Sequence, residues 1–369
     1  MAASLDDNHA PSPFDAAHLR TRVQLAVNEA LEAESQRLGH IDESLLPLVD
    51  ALMAMLAGGK KLRPAFCYWG WRGGLKEGDW NADVDDRAMG AASSLEFLQA
   101  CALIHDDVMD GSDTRRGLPA AHRHFANVHR SHSWLGSPEN FGVGAAILLG
   151  DLCLSWADQV FLESGMPPAA LQRAKPVYDE MRTELMAGQY LDLLEQARGG
   201  GSIDRALQVV RYKSAKYTIE RPLHIGAALA GADGRLFEVY SAFGLPLGEA
   251  FQLRDDILGV FGDPMETGKP AGDDLREGKR TVLIALATEQ ADESQLASLR
   301  THLGNPALDE QGVKELREII NQTGALNTAE CMIDDLLDQS LKAIDNEAIA
   351  QQARVTLTEL AYAATRRSL

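Results

Sequence analysis

Two stretches of this chain share one pattern: Leu103-Ile104-His105-Asp106-Asp107-Val108-Met109-Asp110 and Phe251-Gln252-Leu253-Arg254-Asp255-Asp256-Ile257-Leu258. In each, an apolar run with helical spacing ends in two adjacent aspartates, and a polar loop with basic residues follows. Arg115-Arg116-Gly117 comes after the first pair, and Gly268-Lys269 and Gly278-Lys279-Arg280 come after the second. Each half of the chain therefore offers carboxylates with cations beside them. At about 3.6 residues per helical turn, Asp106 and Asp110 share one face, so their oxygens can converge on one ion. A carboxylate cluster without Cys or His suits magnesium or manganese better than zinc. Magnesium binds through one or two carboxylates plus substrate phosphates, and nearby Arg and Lys suit the remaining phosphate oxygens. A single acidic helix end in so acidic a chain is as readily a solvated surface; two of them, each followed by Gly-flanked cations, point to a site.

The bulk properties narrow the function. The chain has 369 residues, 45% hydrophobic and 24% charged, enough for a large buried core. Its formal net charge of -19 argues against nucleic acid and disfavours docking on an anionic membrane face. Cys67, Cys101, Cys153 and Cys331 form no CxxC pair, so neither a zinc site nor a disulfide framework is expected, and a reducing cytoplasmic setting fits. The first residues are acidic and lack the apolar centre of a signal peptide. The longest apolar stretch, near Gly142 to Leu149, falls short of the roughly 20 residues of a membrane span, so none is expected.

The spacing predicts an all-α chain in one domain, residues 18–369, behind a flexible tail over 1–17. Helices are expected over about 19–38, 42–56, 65–71, 87–110 and 144–164, the last strongly apolar and buried. A further helix follows Pro167-Pro168 and carries Gln189 and Asp192 up to a break at Gly199-Gly200-Gly201. Residues 203–230 read as a helix pair with Pro222 at a kink or boundary, and 236–260 as two helices broken near Gly244-Leu245-Pro246. Helices around 281–290, 312–323, 325–344 and 346–366 complete the chain, with no strand ladder.

Other motifs are weaker. The stretch from Gly262 to Pro270 is not a nucleotide-binding P-loop: five residues separate its glycines and Pro270 stands where Ser or Thr is needed. Gln99, two turns before Asp106, and Gln252, beside Asp255, are site candidates that could equally be buried structural amides. Lys213 could simply reach solvent from an apolar helix. The histidines between His122 and His132 show no metal spacing.

With these residues in place, the sequence resembles the all-trans polyprenyl diphosphate synthases, and within them the bacterial geranylgeranyl diphosphate synthases. The likeness runs from about Gly58 to Thr281 through GGKKLRP, LIHDDVMDGSDTRRG, GQYLDLL, YKSA, FQLRDDILGVFGDP and TGKPAGDDLREGKRT, in the family's order. It implies a helical bundle around a central substrate cavity. Asp106, Asp107 and Asp110 would be the first aspartate motif, and Asp255 and Asp256 would belong to the second. Asp106, Asp110 and Asp192 would share magnesium, Asp255 would hold a further ion and Asp274 would assist through water, about three ions in all, with manganese able to substitute. Arg115, Lys213 and Lys269 would hold the allylic diphosphate, with Gln189 nearby. Lys60, Arg63, Gln99 and Arg116 would hold isopentenyl diphosphate, Lys279 would close the site, and Phe251 and Gln252 would line the reacting centre. The family also implies a homodimer.

Two positions depart from the family pattern. Gly259 stands where a third aspartate is usual, and Ser214 replaces a threonine after Lys213 while keeping the hydroxyl. The implied reaction is head-to-tail, trans condensation of isopentenyl diphosphate with an allylic diphosphate. The growing chain would run beside the helix that ends at Asp106. At 1.5 Å per residue, Cys101 and Ala102 lie roughly 6 to 8 Å below Asp106 and Leu98 roughly 12 Å below. Small residues at the upper level argue against a farnesyl limit, and Leu98 with Leu95 would form a deeper floor, which favours geranylgeranyl diphosphate; packing alone, with the floor on another helix, is the alternative. Farnesyl or longer-chain synthesis, a terpene cyclase and a non-catalytic partner subunit are the competing readings.

Overall fold

The computed structural model describes residues 16–76, 78–199, 202–262, 272–305 and 307–366. Over these the chain is all-α apart from one pair of two-residue strands. Helix α1 (Ala16–Ile41) already includes part of the expected tail, whose residues 1–15 lie outside the described range. It lays Leu19, Val23, Val27 and Leu31 into the core at four-residue spacing. A short turn over Glu43–Leu45, capped by Asp42 accepting from Ser44 N at 2.8 Å, leads into α2 (Leu46–Leu56). Helix α3 (Leu62–Gly74) is buried nearly all round, because Gly70 lets the backbone of α9 (Arg221–Ala230) approach; a Cβ there would stand 2.7 Å from Leu223 O.

Helix α4 (Ala82–Asp110) is the axis of the main core. Asn81 caps its start, accepting from Val84 N at 3.0 Å, and left-handed Gly111 ends it directly after Asp110. Strands β1 (Thr114–Arg115) and β2 (Leu118–Pro119) form a tight antiparallel turn, and α5 (Ala121–Ser131) and α6 (Pro138–Leu162) follow. Helix α6 was expected to be buried, but only its inner face is. Ala146, Leu149, Cys153 and Phe161 are buried in the core around α4, while Phe141, Ile147 and Leu148 are exposed, Leu148 by 63%. Although polar residues interrupt its apolar run, the whole helix is long and apolar enough, by length and composition only, to cross a membrane. Here it packs on α4 and α5.

Next come α7 (Pro168–Arg198), α8 (Ile203–Val209), a π-helical segment (Val210–Glu220), α9 and α10 (Gly234–Phe261). Pro222 falls in the first turn of α9, where a missing N–H costs nothing. Helix α10 does not break at Pro246. Gly244 and Gly248 let the π segment press against it, a Cβ at 248 falling 2.7 Å from Ala215 Cβ, and this packing overrides the local propensity. The remaining helices are α11 (Asp273–Glu277), α12 (Val282–Gln290), α13 (Glu293–His302), α14 (Glu310–Gln322), α15 (Ala325–Ile344) and α16 (Gln351–Thr365). A second core, around Leu253, Ile257, Leu283 and Leu316, gathers α12 to α15 under the carboxyl-terminal half of α10. Helix α10 thus belongs to both cores and ends at the site.

Candidate active site

The ends of α4 and α10 meet at one cavity of about 1040 Å³, which α7 and the π segment also line. Asp106, Asp192, Asp255, Asp256 and Asp274 face it together with Arg115, Lys213 and Lys279. The two aspartate stretches, some 150 residues apart in sequence, are therefore one site.

In the first cluster, Asp106 accepts from Gln189 Nε2 at 2.8 Å and from Lys213 Nζ at 3.0 Å, and Lys213 also donates to Asp192 at 2.6 Å. Burial would raise the Asp106 carboxyl, but Lys213, Lys279 and Arg115 together hold it well below the usual carboxylate range. The reverse holds at Asp110, which burial pushes up to about 6 against the pull of Lys279. Asp107 turns the other way. It is absent from the cavity wall and accepts from Arg115 Nε at 3.0 and 3.2 Å, so it fixes Arg115 3.8 Å from Asp106. Left-handed Arg116 and Gly117 make the turn that pairs Leu118 with Arg115 across the two short strands.

The lysine between α4 and α7 depends on two local features. The wide turns of the π segment carry Lys213 and Ser214, and such segments recur at functional sites. Gly188 supplies the close approach: a Cβ there would stand 2.7 Å from Lys213 Cα.

In the second cluster, Ser214 donates to Gln252 Oε1, and Gln252 Nε2 donates to Asp256 at 2.7 Å. Burial pushes the Asp256 carboxyl up to about 8. Lys279 Nζ stands 3.3 Å from Asp110, 3.4 Å from Asp274 and 2.9 Å from Glu277. Burial would lower its pKa, but these carboxylates keep it charged and raise the value well above the usual range for lysine. Glu277 also accepts from Ser112 Oγ at 2.5 Å, which ties α11 to the loop after α4. Lys269 lies outside the described residues.

At the other end, Lys60, Arg63, Gln99 and Arg116 line the cavity around the Gly58-Gly59 loop. Arg116 donates to Met55 O at 3.0 Å; Arg63 donates to Thr218 Oγ1 at 2.8 Å and lies over the Tyr217 ring, 4.1 Å from its centroid. Sequence reading missed Lys61. It takes a left-handed backbone (φ 53°), is buried, and donates to Leu56 O and Glu96 Oε2 at 2.8 Å each, anchoring the loop. The signal was Glu96 itself, a carboxylate amid the apolar face of α4 that needs a buried cation. Of the four residues expected to limit chain length, Ala102 lines the cavity with Phe251, Leu185 and Tyr217. Cys101, Leu98 and Leu95 are buried in the core beside it and are not part of its wall. Axial rise gave their depth, but not the direction each faces.

The donors suit a hard cation. They are all carboxylates, and both oxygens of the buried Asp110 side chain lack a hydrogen-bond partner. Among the described residues no three acidic, His or Cys side chains already converge as a metal-binding group, and Lys213 and Lys279 stand between the carboxylates.

An all-α fold whose cavity joins two aspartate-ended helices to a set of lysines and arginines is that of a prenyltransferase. Residues 47–323 match the polyprenyl synthetase family, and the chain belongs to it. It is 35% identical over 285 residues to a geranylfarnesyl diphosphate synthase of Aeropyrum pernix, covering 76% of this chain and 81% of that protein. A geranylgeranyl diphosphate synthase of Sulfolobus acidocaldarius is 30% identical, with 79% and 82% covered. Among solved structures, a geranylgeranyl pyrophosphate synthase of Corynebacterium glutamicum, complexed with isoprenyl diphosphate and magnesium, superposes with a TM-score of 0.90. It is 39% identical, and the match covers 96% of this chain and 99% of that one.

Proposed function

We propose that this chain condenses isopentenyl diphosphate head-to-tail with an allylic diphosphate, in trans, to give geranylgeranyl diphosphate and diphosphate. The observation that carries this reading is one cavity with two charged ends: aspartates with Lys213 and Lys279 at one, Lys60, Arg63 and Arg116 at the other. Asp106, Asp110, Asp192 and Asp255 would hold magnesium, with Asp274 beside them. Bound there, the metal supplies Lewis-acid neutralisation of the leaving diphosphate. Arg115, Lys213 and Lys269 grip that diphosphate, and Lys279 closes over it. Lys60, Arg63, Gln99 and Arg116 orient isopentenyl diphosphate so that its double bond faces the allylic carbon. The allylic C–O bond breaks with its electron pair leaving on diphosphate, the double bond attacks, and loss of a proton restores an alkene. No side chain at the reacting centre is an obvious base, so diphosphate takes the proton. Ser214 orients Gln252, and Phe251, Leu185 and Tyr217 keep water from the cation.

Ala102 on the wall supports the C20 product, since the α4 side chains that line the cavity, Gln99, Ala102, Leu103 and Asp106, include no aromatic that would stop elongation early. The likeness to a geranylfarnesyl synthase favours one longer product as the second reading. Incubation with magnesium, isopentenyl diphosphate and dimethylallyl, geranyl or farnesyl diphosphate, followed by chromatography of the dephosphorylated products, separates them. Geranylgeraniol is expected, and a shorter alcohol from Ala102→Phe; no product in any incubation would sink the assignment. Homodimerisation is supported by the exposed apolar surface of α6 with Trp134 and Leu135, and analytical ultracentrifugation tests it.

A further inference from the structure

Lys60 and Lys61 are neighbours in sequence with opposite surroundings. Lys60 is exposed and lines the cavity, whereas Lys61 is only 4% exposed and its partner from α4, Glu96, only 1%. The backbone sets this split. Lys61 is left-handed, at φ 53° and ψ 36°, directly before the first residue of α3, in a region that residues other than glycine enter at a cost. Its ammonium donates to Leu56 O, at the last residue of α2, and to Glu96 Oε2, each at 2.8 Å. One buried lysine thus fastens the turn over residues 57–60 to the end of α2, the start of α3 and the middle of α4. Arg116 rests on the same turn, donating to Met55 O at 3.0 Å and to Gly58 O at 3.4 Å. Gln99, about one helical turn after Glu96, lines the cavity as well. Stability alone does not account for the pair. Glu96 Oε1 is buried with no hydrogen-bond partner among the described residues, and apolar side chains of similar volume serve a core at least as well as an incompletely satisfied ion pair.

We propose that Lys61 and Glu96 are positioning residues for isopentenyl diphosphate: the buried pair holds the turn between α2 and α3 so that Lys60 presents its ammonium to the diphosphate. The inference rests on the reading of this end of the cavity as the isopentenyl diphosphate site. The allylic end draws its cations from the π segment, from β1 and from the residues after α11, so it does not depend on this pair. Loss of the pair therefore acts on one substrate and spares the other.

The test is Lys61→Met/Glu96→Leu, which replaces both charges with apolar side chains and leaves neither unpaired. Calorimetric titration with isopentenyl diphosphate is combined with steady-state kinetics, varying isopentenyl and geranyl diphosphate in turn, and with thermal melting. Kd and KM for isopentenyl diphosphate are expected to rise about 10- to 100-fold, and KM for geranyl diphosphate to change by less than about 3-fold. The melting temperature is expected to stay within about 4 °C of wild type. Adding Lys60→Ala is expected to weaken binding by less than the product of the separate losses, because the pair acts through Lys60. A merely structural role would lower the melting temperature and weaken both substrates together. That outcome, wild-type affinity for isopentenyl diphosphate in the double variant, or losses that multiply in full with Lys60→Ala would each overturn the proposal. Should the double variant fail to fold, Glu96→Gln decides. Its amide oxygen still accepts from Lys61 but without the charge, so a rise of about 3- to 10-fold confined to isopentenyl diphosphate is expected, and an unchanged value overturns the proposal. A wild-type protein that binds no isopentenyl diphosphate overturns the reading of the site as well; failure confined to the variants overturns only this inference.

Discussion

The two aspartate clusters have similar sequences but are built differently. The first keeps its three motif aspartates on α4 and its paired arginine in one short stretch, Asp107 fixing Arg115 eight residues on, with Asp192 and Lys213 joining from α7 and the π segment. The second is assembled from separate segments, with Asp255 and Asp256 on α10, Asp274 on α11 and Ser214 on the π segment acting through Gln252. The adjacent aspartate also differs in kind. Asp107 is paired with a guanidinium, whereas Asp256 is buried beside a neutral amide with its carboxyl pushed up to about 8. The first cluster anchors a cation with its spare carboxylate, and the second uses its own to hold an amide.

The sharpest contrast is expected at Asp106. Asp106→Ala removes the carboxylate between Lys213 and Gln189 and should lower turnover by about three orders of magnitude or more, with the melting temperature little changed. Product assays and calorimetry check it, and near wild-type turnover would undo the comparison at its root. Next come the adjacent aspartates. Asp107→Asn unpairs Arg115 and is expected to raise KM for the allylic diphosphate about 10-fold or more, whereas Asp256→Asn, which replaces a largely neutral carboxyl, should change it by less than about 3-fold. Equal losses at the two positions would show that the clusters do not differ in this way.

A smaller effect is expected at the bridge between them. Ser112→Ala removes the hydrogen bond to Glu277, and a loss of about 1 kcal/mol of stability should appear in denaturant unfolding. An acid titration supplies the control away from both clusters. Burial lowers the His224 pKa to about 4, so between pH 6.5 and 4 the unfolded chain binds a proton that the folded one refuses, and stability falls as pH drops through that window. His224→Gln should flatten that slope by up to about 3 kcal/mol. An unchanged slope would move the acid sensitivity to the clusters themselves.

Much of this was legible in the sequence, because helical periodicity and paired motifs are local signals. Asp106, Asp192, Asp255, Asp256, Asp274, Lys213, Lys279 and the Lys60–Arg63 loop line one cavity, whereas Asp107 and Asp110 are not part of its wall. Helix α13 was missed although Asp292 and Gln295 form a capping box that announces its start. The break expected at Pro246 failed because the glycines around it admit a neighbouring helix, a contact no local rule contains. Adjacent residues on a helix point about 100° apart, so Asp106 and Asp107 had to diverge. Which partner each would meet depended on the turn at Arg116 and on α7. Lys61 with Glu96 is a pair between segments distant in sequence, and only the packed structure brings the two together.

The π-helical segment limits how this gene can change length. A wide turn holds one residue more than an α-turn, and each helical residue turns the chain by about 100°. Deleting a single residue between Arg211 and Glu220 would let the segment relax to α geometry with its backbone hydrogen bonds intact, yet it would swing Lys213 out from between Asp106 and Asp192 or carry Tyr217 off the wall. Insertions and deletions that the fold tolerates are excluded here by the chemistry, so the length of this segment is itself a heritable part of the site.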